Sequence, residues 1–275
     1  MTGNFHPTRI TWLRKLLLFC ISLIRPSIIK TKFDFRLFIP KSDKSIYVAK
    51  LFLTGTYEFT ETKKTLESIH KGSTVVDIGA NIGYYTCLMG RQMDSTGKVY
   101  AIEPDAENRN VLNKNIKLNH LTNVDVRTYA LGERHTRLPL YRNPENLGAH
   151  SLVQNDQMTE TEIEVKRFDD VIPKSKIDFI KIDVEGYELS VLQGMTGFFK
   201  DDLIKMILCE FTPFKIKENE QNPESFLDLI ESYNFKIEVL SNTIDKEFIT
   251  AQQLREELTG FSENKYASFN LLISK

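Results

Sequence analysis

The chain lacks any CxxC pair. It carries only three cysteines, Cys20, Cys87 and Cys209. Their odd number and wide separation argue against a disulfide framework or a zinc cluster, so the expected setting is a reducing, cytoplasmic one. An excess of one charge is missing as well. Its 36 Lys and Arg stand against 37 Asp and Glu, a formal net charge of -1. Nothing here favours a nucleic-acid partner, which calls for a basic domain. A membrane-spanning helix needs roughly 20 apolar residues in a row. The apolar stretch Leu16 to Ile24 falls far short of that, and no small-residue cleavage site follows it. Internal repeats and low-complexity tracts are absent too.

What is present is ordinary globular material: 275 residues, 41% apolar and 27% charged, enough to bury a core without staples. The N-terminus stands apart. Residues 1 to 33 hold Arg9, Arg14, Lys15, Arg25, Lys30 and Lys32 and no acid. From Ile10 to Ile24 the sequence is mostly apolar, with Thr11, Arg14, Lys15 and Ser22 on one helical stripe, and Pro26 ends the helix. Such a helix packs on its own domain or a second subunit, or lies peripherally on an anionic membrane surface. The expected division is an extension over residues 1–50 and one domain over 51–275.

From residue 74 onward strands alternate with helices. Strands are expected at Thr74–Ile78, Lys98–Ile102, Val124–Tyr129, Ile177–Ile182, Leu203–Cys209, Lys236–Leu240 and Ala267–Ile273. Helices are expected through Met93, over Asp105–Leu118, from about Glu188 and over Pro223–Tyr233. Upstream, Thr60–His70 reads as a helix, and Phe33–Ile39 and Ser45–Phe52 read as extended. Thr136–Arg167 reads as irregular, with short strands near Leu138–Tyr141 and Ile163–Val165. This pattern predicts an α/β fold: a mostly parallel seven-stranded, Rossmann-like sheet with helices on both faces. Ligands in such sheets bind beyond the carboxyl ends of the strands. Asp77, Glu103, Tyr129, Asp183 and Glu210 stand at those ends.

The sharpest local signal is Val75-Val76-Asp77-Ile78-Gly79-Ala80-Asn81-Ile82-Gly83. Gly79 permits a tight turn off the strand, and Gly83 permits close packing of the next helix or close approach of a ligand. Asp77 would repel a diphosphate and attract an ammonium such as that of a methionine moiety. Asn81 can donate and accept in the same turn. Glu103, in the Glu103-Pro104 step about 20 residues beyond the glycine turn, suits ribose hydroxyls. Ala130 and Leu131, just past the third strand, are positioned for an adenine ring. A nicotinamide or flavin dinucleotide site is the rival, but the turn is GANIG rather than GxGxxG, and Asp77 would face the phosphates.

DIGANIG (77–83), the EP at 103–104, KIDVEGYE (181–188) and GTYE (55–58) resemble the FkbM family of methyltransferases over about Leu51 to Glu210. The resemblance implies the class I methyltransferase fold, S-adenosyl-L-methionine as methyl donor, and O-methylation of a hydroxyl on a sugar or other natural product. It implies that Asp77, Gly79, Asn81, Gly83 and Glu103 hold the cofactor and that Asp183 sits beside its methionine end.

Methyl transfer to a hydroxyl needs the acceptor oxygen in line and help in removing its proton. Asp183 and Glu185, just after a buried strand, and Glu210, ending the neighbouring one, are the candidate catalytic side chains. Asp183 could instead cap the following helix, Glu185 and Glu188 could be early-helix acids, and Glu210 could pair with Lys181. His150, in the loop 143–154, could reach the same space, although it reads first as a surface histidine. Gly148 to Ser151 could shape the acceptor pocket, and Tyr57 and Glu58 could close over the cofactor. Asp183 and Glu210 together permit Mg²⁺ without demanding it. The expected acceptor is a glycan, glycolipid or related polyhydroxylated molecule. A nitrogen or macromolecular acceptor, a dinucleotide-dependent oxidoreductase and a cofactor-binding module without catalysis remain as alternatives.

Overall fold

The computed structural model describes residues 17–142, 159–244 and 250–275. A helix over residues 17–24 stops before Pro26, whose ring removes the N–H a further turn would need. A small antiparallel hairpin follows, β1 (Ile28–Lys30) with β2 (Arg36–Phe38). The outer edge of β2 is closed by side-chain amides rather than by another strand. Phe38 N–H donates to Asn115 Oδ1 at 2.6 Å and Arg36 N–H to Asn119 Oδ1 at 2.8 Å. The two amide nitrogens donate back to Phe38 O at 3.1 Å and Arg36 O at 2.7 Å. An unpaired edge costs its backbone groups their partners, and here an asparagine of one helix and the asparagine that caps its C-terminus supply them.

Ser45–Phe52 is not extended but helical, over Ile46–Thr54. The β-branched and aromatic residues of this segment favour extended chain on local propensity. They are outweighed by a cap, Ser45 Oγ accepting Val48 N–H at 3.3 Å, and by burial of Val48 and Leu51 at helical spacing. The expected division after residue 50 falls inside this helix. Ile29, Phe35, Leu37, Ile39, Val48 and Leu51 share one apolar core with Val75 and Val99 of the sheet.

Helix Phe59–Ser68 leads to β3 (Thr74–Ile78), helix Tyr84–Met93, β4 (Lys98–Ile102), helix Ala106–Leu118 and β5 (Val124–Arg127). The chain then leaves the main sheet. β6 (Ala130–Gly132), β7 (Thr136–Arg142) and β8 (Thr159–Arg167) form a second, three-stranded sheet in the order β6-β8-β7. Two expectations are corrected here. The third strand ends at Arg127 rather than Tyr129. The short strands expected near Leu138–Tyr141 and Ile163–Val165 are present but belong to a longer ribbon in the segment otherwise read as irregular, paired from Thr136↔Val165 to Arg142↔Thr159. Its alternation is carried by Thr and Glu, which hide a strand because Glu is a poor strand former. Pro139 fits because β7 is an edge.

The chain returns through β9 (Phe179–Ile182), helix Glu188–Gln193, β10 (Met206–Phe211), helix Pro223–Ser232, β11 (Lys236–Asn242) and β12 (Phe269–Ser274). β10 begins three residues later than the sequence pattern suggests, because Ile204 forms only an isolated bridge to Ile177. Short helices at Thr196–Lys200, Pro213–Glu218, Ala251–Glu256 and Leu258–Glu263 were not anticipated.

The seven-stranded sheet runs β11-β12-β10-β9-β3-β4-β5, all parallel except β12, which is antiparallel to both neighbours. This is the class I methyltransferase architecture. Alternation along the strands divides the core. Val76, Ile180, Ile182, Ile207 and Cys209 face one apolar cluster, while Val75, Phe179 and Leu208 face the other. By the same period of two, Asp77 and Lys181 point to the second face, where the helix Tyr84–Met93 lies.

Candidate functional site

From β3 the chain proceeds outward to β4 and β5 on one side, and from β9 to β10 on the other. The crevice therefore opens beyond the adjacent carboxyl ends of β3 and β9, the reversal point of an open α/β sheet. A cavity of about 290 Å³ occupies it. Asp77, Gly79, Asn81, Glu103, Ala130, Leu131, Asp183, Glu185 and Glu210 all line this cavity, so the structure brings them together. Gly83 does not line it. Leu140 and Ile163 of the ribbon close one wall, and Ile46, Tyr47 and Tyr57 close another.

The turn after β3 is built for close approach. Gly79 has φ 82°, and a Cβ there would lie 1.9 Å from Asp183 O. Any side chain would drive β3 and β9 apart at their tips. The N–H groups of Gly79 and Ala80 both donate to Ile102 O at 3.0 Å, folding the turn toward β4. Asn81 takes φ 51°, and its Oδ1 is buried without a hydrogen-bond partner. A Cβ on Gly83, φ 95°, would come within 2.5 Å of Leu112 Cδ1, so the glycine lets the next helix pack tightly on helix Ala106–Leu118. Gly83 thus acts on the packing behind the turn.

Two carboxylates frame the turn. Asp77 is buried and accepts a hydrogen bond from Thr86 Oγ1, and burial pushes its carboxyl up to about 6. Glu103 Oε2 accepts Asn81 N–H at 2.8 Å and Oε1 accepts Asp105 N–H at 2.9 Å. Burial lifts Glu103 to about 7 despite these bonds. The backbone thus orients both oxygens, and each retains a lone pair for a further donor.

The string 181–188 forms the floor. The Lys181 side chain is 1% exposed. Its ammonium lies 3.6 Å from Asp183 Oδ2 and 5.2 Å from the centroid of the Tyr85 ring. Burial would pull that ammonium down, but Asp183, Glu58 and Glu210 outweigh it and raise it. Conversely, burial raises both Glu58 and Glu210, and the Asp183 charge adds to each. Tyr85 donates its hydroxyl to Glu58 at 2.8 Å and Ser268 donates to Glu210 at 2.5 Å. Asp183, 28% exposed, is the acid of this set for which the structure shows a close contact to the ammonium. Lys215 pairs with the Glu185 carboxylate. Glu188 is fully buried, its Oε1 accepts Gly186 N–H at 2.9 Å, and burial lifts it to about 7. Glu188 therefore fixes the turn that carries Asp183.

Sequence reasoning raised Glu58 only as a lid residue and Lys181 only as a structural partner of Glu210. A lysine at strand position 181, flanked by Ile180 and Ile182, is the signal that was available: a charge inside an apolar run demands buried counter-charges. Tyr47 and Tyr85 were missed entirely. His150 and the loop around Gly148 to Ser151 lie outside the described residues. Among the described residues, no group of three or more His, Cys, Asp or Glu side chains is arranged to hold a metal ion, and no helix is long and apolar enough to cross a membrane.

Comparison with known proteins gives the family. The model of the methyltransferase FkbM domain matches residues 77–237. "Methyltransferase 1" of Beauveria bassiana is 26% identical over 163 residues, covering 50% of this chain and 65% of its own. "Hexuronic acid methyltransferase AglP" of Haloferax volcanii is 23% identical over 192 residues, covering 68% of this chain and 74% of its own. The crystal structure of methyltransferase FkbM from Methylobacillus flagellatus KT superposes with a TM-score of 0.48 at 17% identity, covering 97% of this chain and 60% of that one. The chain thus spans about two thirds of the Beauveria protein's length.

Proposed function

The chain belongs to the FkbM family of methyltransferases, and from that premise we propose that it uses S-adenosyl-L-methionine to methylate a hydroxyl group of a glycan or glycolipid. The observation that carries the reading is the cavity at the β3–β9 junction. It is framed by a carboxylate at each end of the glycine turn and floored by a buried lysine among acids.

The residues present fit that cofactor. Gly79 leaves backbone where a side chain would block the crevice, and the buried Asn81 Oδ1 lacks a donor. Glu103 would accept from the ribose hydroxyls, Ala130 and Leu131 would flank the adenine, and Asp77 and Asp183 would receive the amino-acid end. When bound, the cofactor supplies a methyl group already activated by the sulfonium charge.

The remaining tasks fall to this chain. Asp183 accepts the hydrogen bond of the acceptor hydroxyl, orienting its oxygen. Glu210 and Glu58 face the same ammonium as Asp183. Burial raises the proton affinity of Glu210, which lines the cavity together with Asp183, so these two acids take up the proton the acceptor loses. Lys181 holds the acids at this spacing and supplies the positive charge that the sequence leaves open to Mg²⁺. Glu185, committed to Lys215, anchors the turn beside them. The similarity to a hexuronic acid methyltransferase supports a sugar acceptor.

The test is equilibrium binding and turnover. S-adenosylhomocysteine should bind and raise the melting temperature, NAD should do neither, and labelled methyl should appear on a glycan fraction as an alkali-stable ether. A labelled nitrogen, or no transfer to any glycan, would overturn the acceptor assignment. Loss of turnover on chelation, restored by Mg²⁺, would move the cationic role from Lys181 to a metal.

A further inference from the structure

The helix over residues 17–24 has its polarity reversed. Ile21 and Ser22 are buried and Leu18 is half-buried, so that face is docked on the domain. Leu17 is 60% exposed, Phe19 47%, Leu23 64% and Ile24 73%, and Cys20 is exposed between them. At 100° per residue these five span an arc of about 160°. No polar side chain lies on it. Of the described chain's nine exposed large apolar residues, eight lie between Leu17 and Phe59. Scattered exposed hydrophobes need no explanation, but a contiguous apolar face does.

Charge indicates what covers it. Up to Lys50 the sequence has ten Lys and Arg against Asp34 and Asp43. Lys30, Lys32, Arg36, Lys41 and Lys50 are exposed. Asp34 is engaged by Arg91 at 2.9 Å. The sequence before residue 17 adds Trp12, Leu13 and Leu16 together with Arg9, Arg14 and Lys15. Apolar residues beside a surplus of bases are the signature of an anionic lipid surface.

The helix is also fixed relative to the cavity. The Arg25 guanidinium, buried at the helix end, donates to Ile39 O at 3.2 Å and Asp43 O at 3.0 Å. Lys41 donates to the carbonyls of Ser22 and Arg25, and Lys44 Nζ lies 6.0 Å from the Phe19 ring centroid. This clamped segment runs directly into Ser45, Ile46 and Tyr47, which line the cavity, and Ile46 is 44% exposed.

The geometry points to an anionic membrane surface as the partner of this helix face, with the cavity mouth presented beside the bilayer so that the acceptor hydroxyl is carried on a lipid. The lipid-borne acceptor deepens the proposed methyl transfer and rests on it; the membrane contact does not.

The experiment is co-sedimentation of the full chain with vesicles of phosphatidylcholine and phosphatidylglycerol, against phosphatidylcholine alone. The wild type should pellet with the anionic vesicles and be released by salt. The Leu23→Asp/Ile24→Asp variant should lose at least about tenfold in partitioning. That variant should keep its melting temperature and its binding of S-adenosylhomocysteine, which separates failure here from failure of the cofactor reading. Deleting residues 1–16 should weaken vesicle binding; a gain on deletion would mean those residues cover the face. A wild-type dimer that the double variant converts to monomer, with no vesicle binding by either, would assign the face to a second copy. Each of these last two results overturns the proposal.

Discussion

Replacing Glu103 by Gln probes the ribose assignment and its ionisation together. In the wild type both carboxylate oxygens are oriented by backbone N–H groups, from Asn81 and Asp105. The substitution keeps one acceptor and turns the other into a donor, facing an N–H it formerly accepted. One hydrogen bond to a charged acceptor is lost to the ligand, worth about 1.5–3 kcal/mol. The dissociation constant for S-adenosylhomocysteine should rise about 10- to 150-fold. Protonation gives a second signature. Burial lifts Glu103 to about 7, and only the ionised form offers both oxygens. Between pH 8 and pH 6 the ionised fraction of the free protein falls about tenfold, and affinity should fall with it. Asp77, lifted to about 6, titrates in both proteins and cancels in their ratio. The stability sign is opposite. A carboxyl raised from 4.5 to about 7 on folding contributes stability present below pH 4.5 and lost as pH rises through 7. That loss is about 3 kcal/mol, so the Gln variant without ligand should look better relative to the wild type at pH 8 than at pH 5. Isothermal titration across pH 5.5 to 8.5 reads the first two effects and denaturant melts the third. A Gln variant with wild-type affinity and a wild-type pH slope would refute the reasoning.

Asp183→Asn should weaken S-adenosylhomocysteine binding, since Asp183 receives its amino-acid end, and turnover at saturating cofactor should still fall about 10²-fold or more; radiolabel transfer at saturating cofactor measures it, and undiminished turnover would remove Asp183 from the chemistry. Lys181→Met leaves Glu58, Asp183 and Glu210 without their cation and should cost about 3–5 kcal/mol at pH 8. Because both glutamates are already raised by burial, protonation should recover part of that loss by pH 5; equal losses at both pH values, seen by urea unfolding, would contradict the arrangement. Gly79→Ala puts a Cβ on Asp183 O, and strain at positive φ alone costs about 1–3 kcal/mol; a melting temperature equal to wild type would show that the strand tips are looser than described.

Much of this was legible beforehand for a physical reason. β3, β4 and β9 are buried on both faces, so their apolar runs stand out against polar turns, and the acids that end them mark the ligand side. The ribbon β7–β8 was legible only as its short apolar pieces, Leu138–Tyr141 and Ile163–Val165, because the rest of it alternates charges and Thr, and its inward residues Leu140 and Ile163 matter through the cavity they wall. The Ile46–Thr54 helix was hidden because its strand-forming residues are overruled by a serine cap and a core made by distant segments. Glu58 joins the site from a stretch far upstream of β9, and no local spacing could pair it with Lys181. The KIDVEGYE string was read as a mark, whereas its parts do separate work: Lys181 carries the buried charge, Glu185 ties to Lys215, and Glu188 braces Gly186.

The most direct measurement is a crystal structure of the full chain with S-adenosylhomocysteine. The account predicts the ribose hydroxyls on Glu103, the adenine against Ala130 and Leu131, and the amino-acid end between Asp77 and Asp183, with the sulfur turned toward the Lys181 floor. A ligand bound elsewhere, or with its ribose turned away from Glu103, would contradict it.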